Sequence, residues 1–341
     1  MPTIRDIARQ AGVSVGTVSN YLNNPDIVAE KSRQPIEDAI RILGYHPHAA
    51  ARSLKSNQTN RIGLVPLISP EHNRSMEPGD LAFLEFLSAI NTRAAELGYA
   101  VLMQAATRPE DELHIYQRLI GERQVDGLVL MGLQARDPRV TFLLEHKFPF
   151  VTFGRSDSTA HAFVDADNPG GIAQALEHLA GLGHQRIAMI TPPAHLRCSA
   201  DRKAGYLDNL DRLGLPFEPD WLVEGDFSEQ AGQIAMHLLL DLPHPPSAVI
   251  TANDFCAFGV LRALTHRGLQ AGRDFSVVGF DDIRLASHWN PALTTIRQPF
   301  RQMGMQAVEA LVSRINGSSE LMHRICKTEL VIRSTTGPWK E

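Results

Sequence analysis

Residues 7–23 read Ile7-Ala8-Arg9-Gln10-Ala11-Gly12-Val13-Ser14-Val15-Gly16-Thr17-Val18-Ser19-Asn20-Tyr21-Leu22-Asn23. The spacing predicts two short helices joined by a tight turn. Ala8 is small where the two helices must cross closely. Gly12 permits the turn, Val13 packs between the helices, and Ser14 caps the second one. The exposed positions of that second helix, Gly16, Thr17, Ser19 and Asn20, are short and mostly polar. N-terminal residues of such a helix reach base edges in the DNA major groove, while hydroxyls and the helix N-terminus hold phosphates. Two packed helices with no DNA role are the competing explanation. The N-terminal position and the linker that follows speak against it.

Upstream, Thr3-Ile4-Arg5-Asp6 resembles a capping box, and Ile4, Ile7, Ala8 and Ala11 recur at helical spacing. Downstream, Asn23-Asn24-Pro25-Asp26 is a turn. A third helix runs to about Leu43 and is closed by Gly44. Pro35 bears on where it starts. A start at Glu30 would put Pro35 in the interior, at a cost of roughly 3 kcal/mol. With Ser32 as N-cap, Pro35 falls where its missing N–H has no intrahelical partner anyway. The second arrangement, or a kinked entry, is expected. Residues 45–60 lead from a short Ala-rich helical stretch into a polar linker whose apolar face is too small to fold without a partner.

Charge divides along the same boundary. Residues 1–60 hold seven Lys/Arg against five Asp/Glu, a balance of +2, so the remainder carries −7 of the chain's net −5. The sign suits a small nucleic-acid head on an acidic body.

From Arg61 the texture changes. Short apolar runs at 62–68, 100–104, 127–131, 150–153, 186–190, 248–251 and 276–280 read as strands. Helical patterns lie between them, as at 84–97, 171–182 and 255–267. Alternating strands and helices predict an α/β fold of parallel βαβ units. The 341 residues allow two such lobes beyond the head. A cleft at the carboxyl ends of the strands is the natural ligand site. No apolar run approaches the ~20 residues that span a bilayer. The Met-Pro-Thr-Ile-Arg-Asp start has no signal-peptide core, so a cytoplasmic location is expected. Cys198, Cys256 and Cys326 fit neither a disulfide framework nor zinc spacing, and no metal or cofactor is expected.

With these motifs in hand, residues 1–55 resemble the headpiece of the lac/gal repressor family: Thr3-Ile-x-Asp-Ile-Ala, then Ala11-Gly-Val-Ser, Thr17-Val-Ser and Leu43-Gly-Tyr. The resemblance continues through Gly183-His-Gln-Arg-Ile-Ala, Gly225-Asp-Phe, Ala252-Asn-Asp, Val277-Val-Gly-Phe-Asp-Asp and Leu293-Thr-Thr-Ile-Arg-Gln-Pro. It implies a three-helix helix-turn-helix headpiece on a two-lobed, periplasmic-binding-protein-like core. The implied division is 1–45 for DNA binding, 46–60 for a hinge helix and linker, and 61–341 for ligand binding and dimerisation. The lobes would run roughly 61–160 plus 293–322, and 161–292 plus 323–341.

The resemblance also assigns residues. Val15 and Gly16 occupy the base-reading pair at the start of the recognition helix, and Asn20 the reading position one turn later. Asn pairs bidentately with adenine, but Val15 and Gly16 offer little polar readout. Thr3, Ser14, Thr17, Ser19, Tyr45 and His48 complete the candidate DNA-facing set. Leu54 matches the hinge leucine that wedges into the minor groove; an ordinary linker apolar is the alternative. In the core, Arg202, Asn253 and Asp281 match polar ligand contacts, chemistry that suits a sugar; a structural Arg202–Asp281 ion pair is the alternative. Phe227 and Phe300 match rings that cover a ligand face, or are plain core. Phe83 and Phe153 are further candidates. Gly154 stands where the family often has an acid, with Arg155 as a substitute contact. His184 is read as structural.

The implied function is a repressor-type transcriptional regulator and not an enzyme. It would bind a near-palindromic double-stranded DNA operator as a homodimer, with affinity set by a small effector, a sugar of a carbohydrate-catabolic pathway. The chain ends without an apolar heptad tail, which favours a dimer over a tetramer. A nucleobase or phosphorylated metabolite is the alternative effector. An enzyme lacks supporting motifs, and a sugar-binding transport protein needs a signal peptide where the helix-turn-helix stands.

Overall fold

A computed structural model describes residues 2–45, 58–67 and 81–339. The chain divides into two units, 1–59 and 60–341.

The first unit is helical. Helix α1 (Ile4–Ala11) starts at Thr3, whose N–H and hydroxyl both donate to the Asp6 carboxylate, at 2.9 and 2.7 Å. These bonds hold the Asp6 pKa below the ordinary carboxylate value. Gly12 ends α1 at φ 65°, in the left-handed region that a glycine enters without strain. The Val13 N–H then closes on the Ala8 carbonyl. Helix α2 (Val15–Asn23) is capped by Ser14 Oγ, which accepts from the Thr17 N–H at 3.0 Å. Ile7, Ala8, Val18, Val28, Ile36 and Ala39 form the core.

Helix α3 (Glu30–Leu43) corrects an expectation. Its N-cap is Ala29, not Ser32, so Pro35 lies inside the helix. The early start has a tertiary cause. Arg33, in the first turns, donates Nε to the Val28 carbonyl and Nη2 to that of Asp26, at 2.8 and 3.0 Å. Those bonds tie the helix entry to the preceding turn and offset the ladder bond that Pro35 removes.

The second unit contains two parallel α/β sheets. The first has strand order β11-β5-β4-β3-β1-β2 and the second β12-β10-β9-β8-β6-β7. The first takes β1 (Arg61–Leu64), β2 (Ala100–Met103), β3 (Gly127–Leu130), β4 (Phe150–Phe153), β5 (Ala162–Ala166) and β11 (His323–Cys326). The second takes β6 (Ile187–Thr191), β7 (Leu222–Glu224), β8 (Ala248–Ile250), β9 (Ser276–Asp281), β10 (Thr294–Arg297) and β12 (Glu329–Val331). All the pairings are parallel except β10 with β12. Crossover helices in the first lobe are α4 (Leu81–Glu96), α5 (Pro109–Gly121) and α6 (Pro138–Glu145). The second lobe has α7 (Asn168–Gly181), α8 (Arg197–Leu213), α9 (Glu229–Leu240), α10 (Asp254–His266) and the short α11 (Arg284–His288). Helix α12 (Phe300–Ile315) returns to the first lobe, where Leu311 and Ile315 pack over Gly127.

The α/β class and two lobes stand, but the lobe boundaries expected at 160, 293 and 322 shift. Strands β5 and β11 extend the first sheet, and β10 belongs to the second. The chain therefore crosses between lobes after Ala166, after Arg297 and after Cys326. Two hydrogen bonds stitch two of these crossings together: the Asp167 N–H donates to Cys326 O at 2.8 Å, and the Thr328 hydroxyl donates to Asp167 O at 3.1 Å. His184 is structural, as expected. It is buried, with Nδ1 on Ser247 and Nε2 on Ser276 and the Gly337 carbonyl. No helix among the described residues is long and apolar enough to cross a membrane.

Candidate functional site: a helix face and an interlobe cleft

In the first unit, Val15, Gly16 and Asn20 lie exposed on α2, with Val15 42% accessible. Gly16 and Asn20, four apart, share a helix face. Ser14 is exposed and Thr17 and Ser19 are half-buried. The Ser14 and Thr17 hydroxyls sit 2.8 Å apart, so the N-terminal turn presents two coupled hydroxyls beside its N–H groups. Opposite this face, Tyr21 donates its hydroxyl to Glu37 Oε1 at 2.6 Å, tying α2 to α3. That bond to a carboxylate pushes the Tyr21 pKa up to about 12. Thr3 is exposed beside α1. Tyr45 is half-buried against the small core, closing α3 by an N–H bond to Ile40. His48 and Leu54 lie outside the described residues.

In the second unit, a cavity of about 390 Å3 opens between the two sheets, at the carboxyl ends of their strands. All eight candidate residues line it: Phe83, Phe153, Arg155, Arg202, Phe227, Asn253, Asp281 and Phe300. The lining comes from both lobes and from the crossovers, so a change of lobe angle would change the cavity.

Each polar group is fixed by its own element. Asn253 caps α10, its Oδ1 accepting from the Cys256 N–H at 2.8 Å, and it is buried. Arg202, on α8, is 4% exposed. Its Nε donates to Asn168 Oδ1 at 2.7 Å, its Nη1 to the Ala252 carbonyl at 2.6 Å, and its guanidinium lies 3.5 Å from the Phe280 ring centre. These partners are neutral groups.

Asp281 ends β9 at φ 120°, followed by Asp282 at φ 58°. Two successive non-glycine residues at positive φ store strain, a feature that concentrates at functional sites. Gln298 holds the bend, donating Nε2 to Asp281 Oδ1 at 2.6 Å. Beneath it, buried Asp254 accepts from the Thr295 hydroxyl and from the Ile283 N–H. Burial, aided by the nearby Asp281 charge, raises the Asp254 pKa.

The aromatic candidates differ among themselves. Phe300 is buried and stacks with Phe153, ring centres 6.2 Å apart, while Phe153 tilts against Phe86 at 4.1 Å. Phe83, Phe153 and Phe227 are half-buried. Phe227 and Phe83 can therefore present ring area to a ligand, with Phe300 as backing.

Arg155 is engaged rather than available. It donates Nε to Asp165 at 2.9 Å and Nη2 to Asp201 at 2.8 Å, so it joins β5 of one lobe to α8 of the other. Arg197 makes a parallel link, bonding both Asp201 and Asp157. Gly154 sits at φ 98°, a backbone conformation that an acidic side chain would strain.

Several lining residues escaped the sequence reading, among them Glu112, Gln134, Arg139, Asp165, Asn168, Arg197 and Cys198. Asp165 carried a faint signal, an acid at the end of an apolar run. Glu112 and Arg139 sit in helical patterns where charges ordinarily face water.

An exposed helix-turn-helix in one chain with a two-lobed, cleft-bearing α/β core defines a ligand-responsive class of DNA-binding regulator. The comparisons make this specific. A model of bacterial regulatory proteins of the lacI family matches residues 3–48, and one of the periplasmic binding protein-like domain matches residues 176–336. The HTH-type transcriptional repressor PurR of Escherichia coli is 33% identical over 324 residues, covering 94% of this chain and 92% of that protein. The lac repressor dimer bound to operator and the anti-inducer ONPF superposes with TM-score 0.87 at 31% identity, covering 98% of this chain and 99% of that one. The complex of the transcriptional regulator CelR with cellobiose gives TM-score 0.75 at 30% identity, over 98% and 100% of the two chains. The chain belongs to the lacI family. It is a DNA-binding transcriptional repressor and not an enzyme.

Proposed function

We propose that this repressor binds a near-palindromic operator as a homodimer and that a sugar held in the interlobe cleft sets its operator affinity. The observation that carries the sugar reading is the convergence of Arg202, Asn253 and Asp281 with half-buried phenylalanines on one cavity. A carboxylate accepts from neighbouring hydroxyls, a guanidinium donates a fork, an amide does both, and a ring covers the apolar face of a pyranose. Cellobiose in CelR supports the same ligand class. The lac repressor, solved as a dimer on its operator, supports the assembly.

DNA readout falls to Asn20, flanked by Val15 and Gly16, with phosphates met by Ser14, Thr17 and Ser19, and with Leu54 as the minor-groove wedge. Sugar binding closes the cleft, and operator affinity changes by the coupling free energy, about 1–3 kcal/mol for such systems. The repressor acts in the cytoplasm, where its operator is.

Asp281→Asn tests the reading, since it keeps shape while removing the acceptor charge. In thermal shift against a sugar panel, the wild type should gain stability with at least one sugar, about 2.7 kcal/mol at one hundred times the dissociation constant. The variant should lose that gain while still retarding operator DNA. Loss of operator binding with ligand binding intact would sink this assignment of Asp281.

A further inference from the structure

The first-lobe side of the cleft carries a second polar group. Glu112 on α5 and Arg139 on α6 both line the cavity. Arg139 donates Nε and Nη2 to the two oxygens of Asp137, at 2.9 and 2.7 Å, and Nη1 to Glu112 Oε2 at 2.8 Å. Its Nη2 also meets the Gly132 carbonyl. Asp137 alone therefore neutralises the guanidinium with a bidentate pair. Glu112 is a second carboxylate on the same cation, 8% exposed, and it leaves the buried cluster with an excess negative charge. A purely structural pair has no need of that extra charge, whose burial costs free energy. Burial raises the Glu112 pKa, the direction expected of a carboxylate held for a partner not yet present.

One further observation agrees. Gln134, exposed in the cavity lining, donates its backbone N–H to Asp137 and so is tied to the cluster.

The charge balance selects the ligand class. The lining arginines are Arg139, Arg155, Arg197 and Arg202. The first three are already paired to carboxylates. Around these four cations stand Glu112, Asp165, Asp226 and Asp281 of the lining, with Asp137, Asp157 and Asp201 behind them. Seven acids against four bases give a negative field that repels a phosphate. The cavity volume of about 390 Å3 is more than one pyranose ring fills, and pockets of roughly 300–1,000 Å3 hold drug-sized ligands.

We propose that Glu112, held by Arg139 with Gln134 beside it, is a second ligand-reading pole in the first lobe, and that the effector is an uncharged sugar of at least two rings. One ring engages Arg202, Asn253 and Asp281 in the second lobe, and another engages Glu112 in the first. This rests on the sugar reading above and deepens it.

The test is calorimetry on the full chain with glucose, cellobiose, maltose, trehalose, sucrose and glucose 6-phosphate. At least one disaccharide should bind about tenfold or more tighter than glucose, and glucose 6-phosphate should not bind. Glu112→Gln should weaken that disaccharide about tenfold and leave glucose within about twofold. Gln134→Ala, on an exposed loop, should move the same preference in the same direction even where Glu112→Gln folds poorly. Glucose binding as tightly as every disaccharide, or both variants leaving the ratio unchanged, overturns the second pole while the sugar reading stands. Glucose 6-phosphate as the tightest ligand overturns the charge argument. No binding by any of the six removes the sugar reading, and this proposal with it.

Discussion

Arg155, just beyond β4 in the first lobe, donates Nη2 to Asp201 on α8 of the second lobe at 2.8 Å. The bond spans the cleft beside the backbone link from the Arg197 N–H to the Leu133 carbonyl. Together they form a clasp between the two lobes. A clasp of charges sets the lobe angle more than it sets stability. Arg155→Gln should cost about 1–3 kcal/mol, between the exposed and buried limits for such pairs, because the guanidinium keeps a quarter of its exposure. Its larger effect should be a wider cleft, read as an increased radius of gyration in small-angle scattering and a faster sugar off-rate. A lower melting temperature with unchanged scattering and off-rate would reduce Arg155 to a stabilising pair.

Asn20 is the one exposed residue of the α2 reading face that can pair bidentately with a base. Asn20→Ala should weaken the specific operator by about 1–3 kcal/mol and spare random-sequence DNA. Titration of both DNAs at the same salt concentration separates the outcomes. An equal loss on both would mean that Asn20 holds phosphate and reads no base.

The headpiece was legible because its signals are local. Thr3, Gly12 and Ser14 each act within three or four residues of themselves. Pro35 misled because the start of α3 is set by Arg33 reaching back to Asp26 and Val28, a tertiary matter. In the core, strands with long apolar runs were readable. Strand β10, Thr294–Arg297, is mostly polar, and β12, Glu329–Val331, is only three residues long, so neither stands out. The lobe boundaries failed for a related reason: whether β5 joins the first or second sheet depends on pairing with β4 and β11, not on its own composition. The eight cleft candidates were placed by family resemblance. Glu112 and Arg139 were invisible because their contact joins positions 27 residues apart on different helices.

His161 should leave a signature in acid. It is 2% exposed, its Nε2 meets Thr152 Oγ1, and its ring stacks on Phe150. Burial lowers its pKa from 6.5 to about 4, and the neighbouring His323 adds to the shift. Between those values the unfolded chain binds the extra proton, so this group's contribution is complete above pH 6.5 and falls as pH drops toward 4. His161→Gln removes that titration. The wild type's melting-temperature advantage over the variant should therefore shrink on acidification through this window. An advantage that stays constant would mean His161 titrates alike in both states.

Pro35 offers a test of the helix start itself. With Ala29 as N-cap, residue 35 is past the first turn, and the Lys31 carbonyl loses the N–H it would otherwise accept. The interior proline costs about 3 kcal/mol, and its stiffening of the unfolded chain returns about 1 kcal/mol at most. Pro35→Ala should then stabilise the headpiece by about 2 kcal/mol and slow amide exchange through the first half of α3. If Ser32 capped the helix instead, the same substitution would fall in the first turn, where proline is tolerated, and stability would hold steady or drop. Hydrogen exchange of residues 31–37 in the full chain decides between the two starts, because only the longer helix gains a bond from the new amide to Lys31.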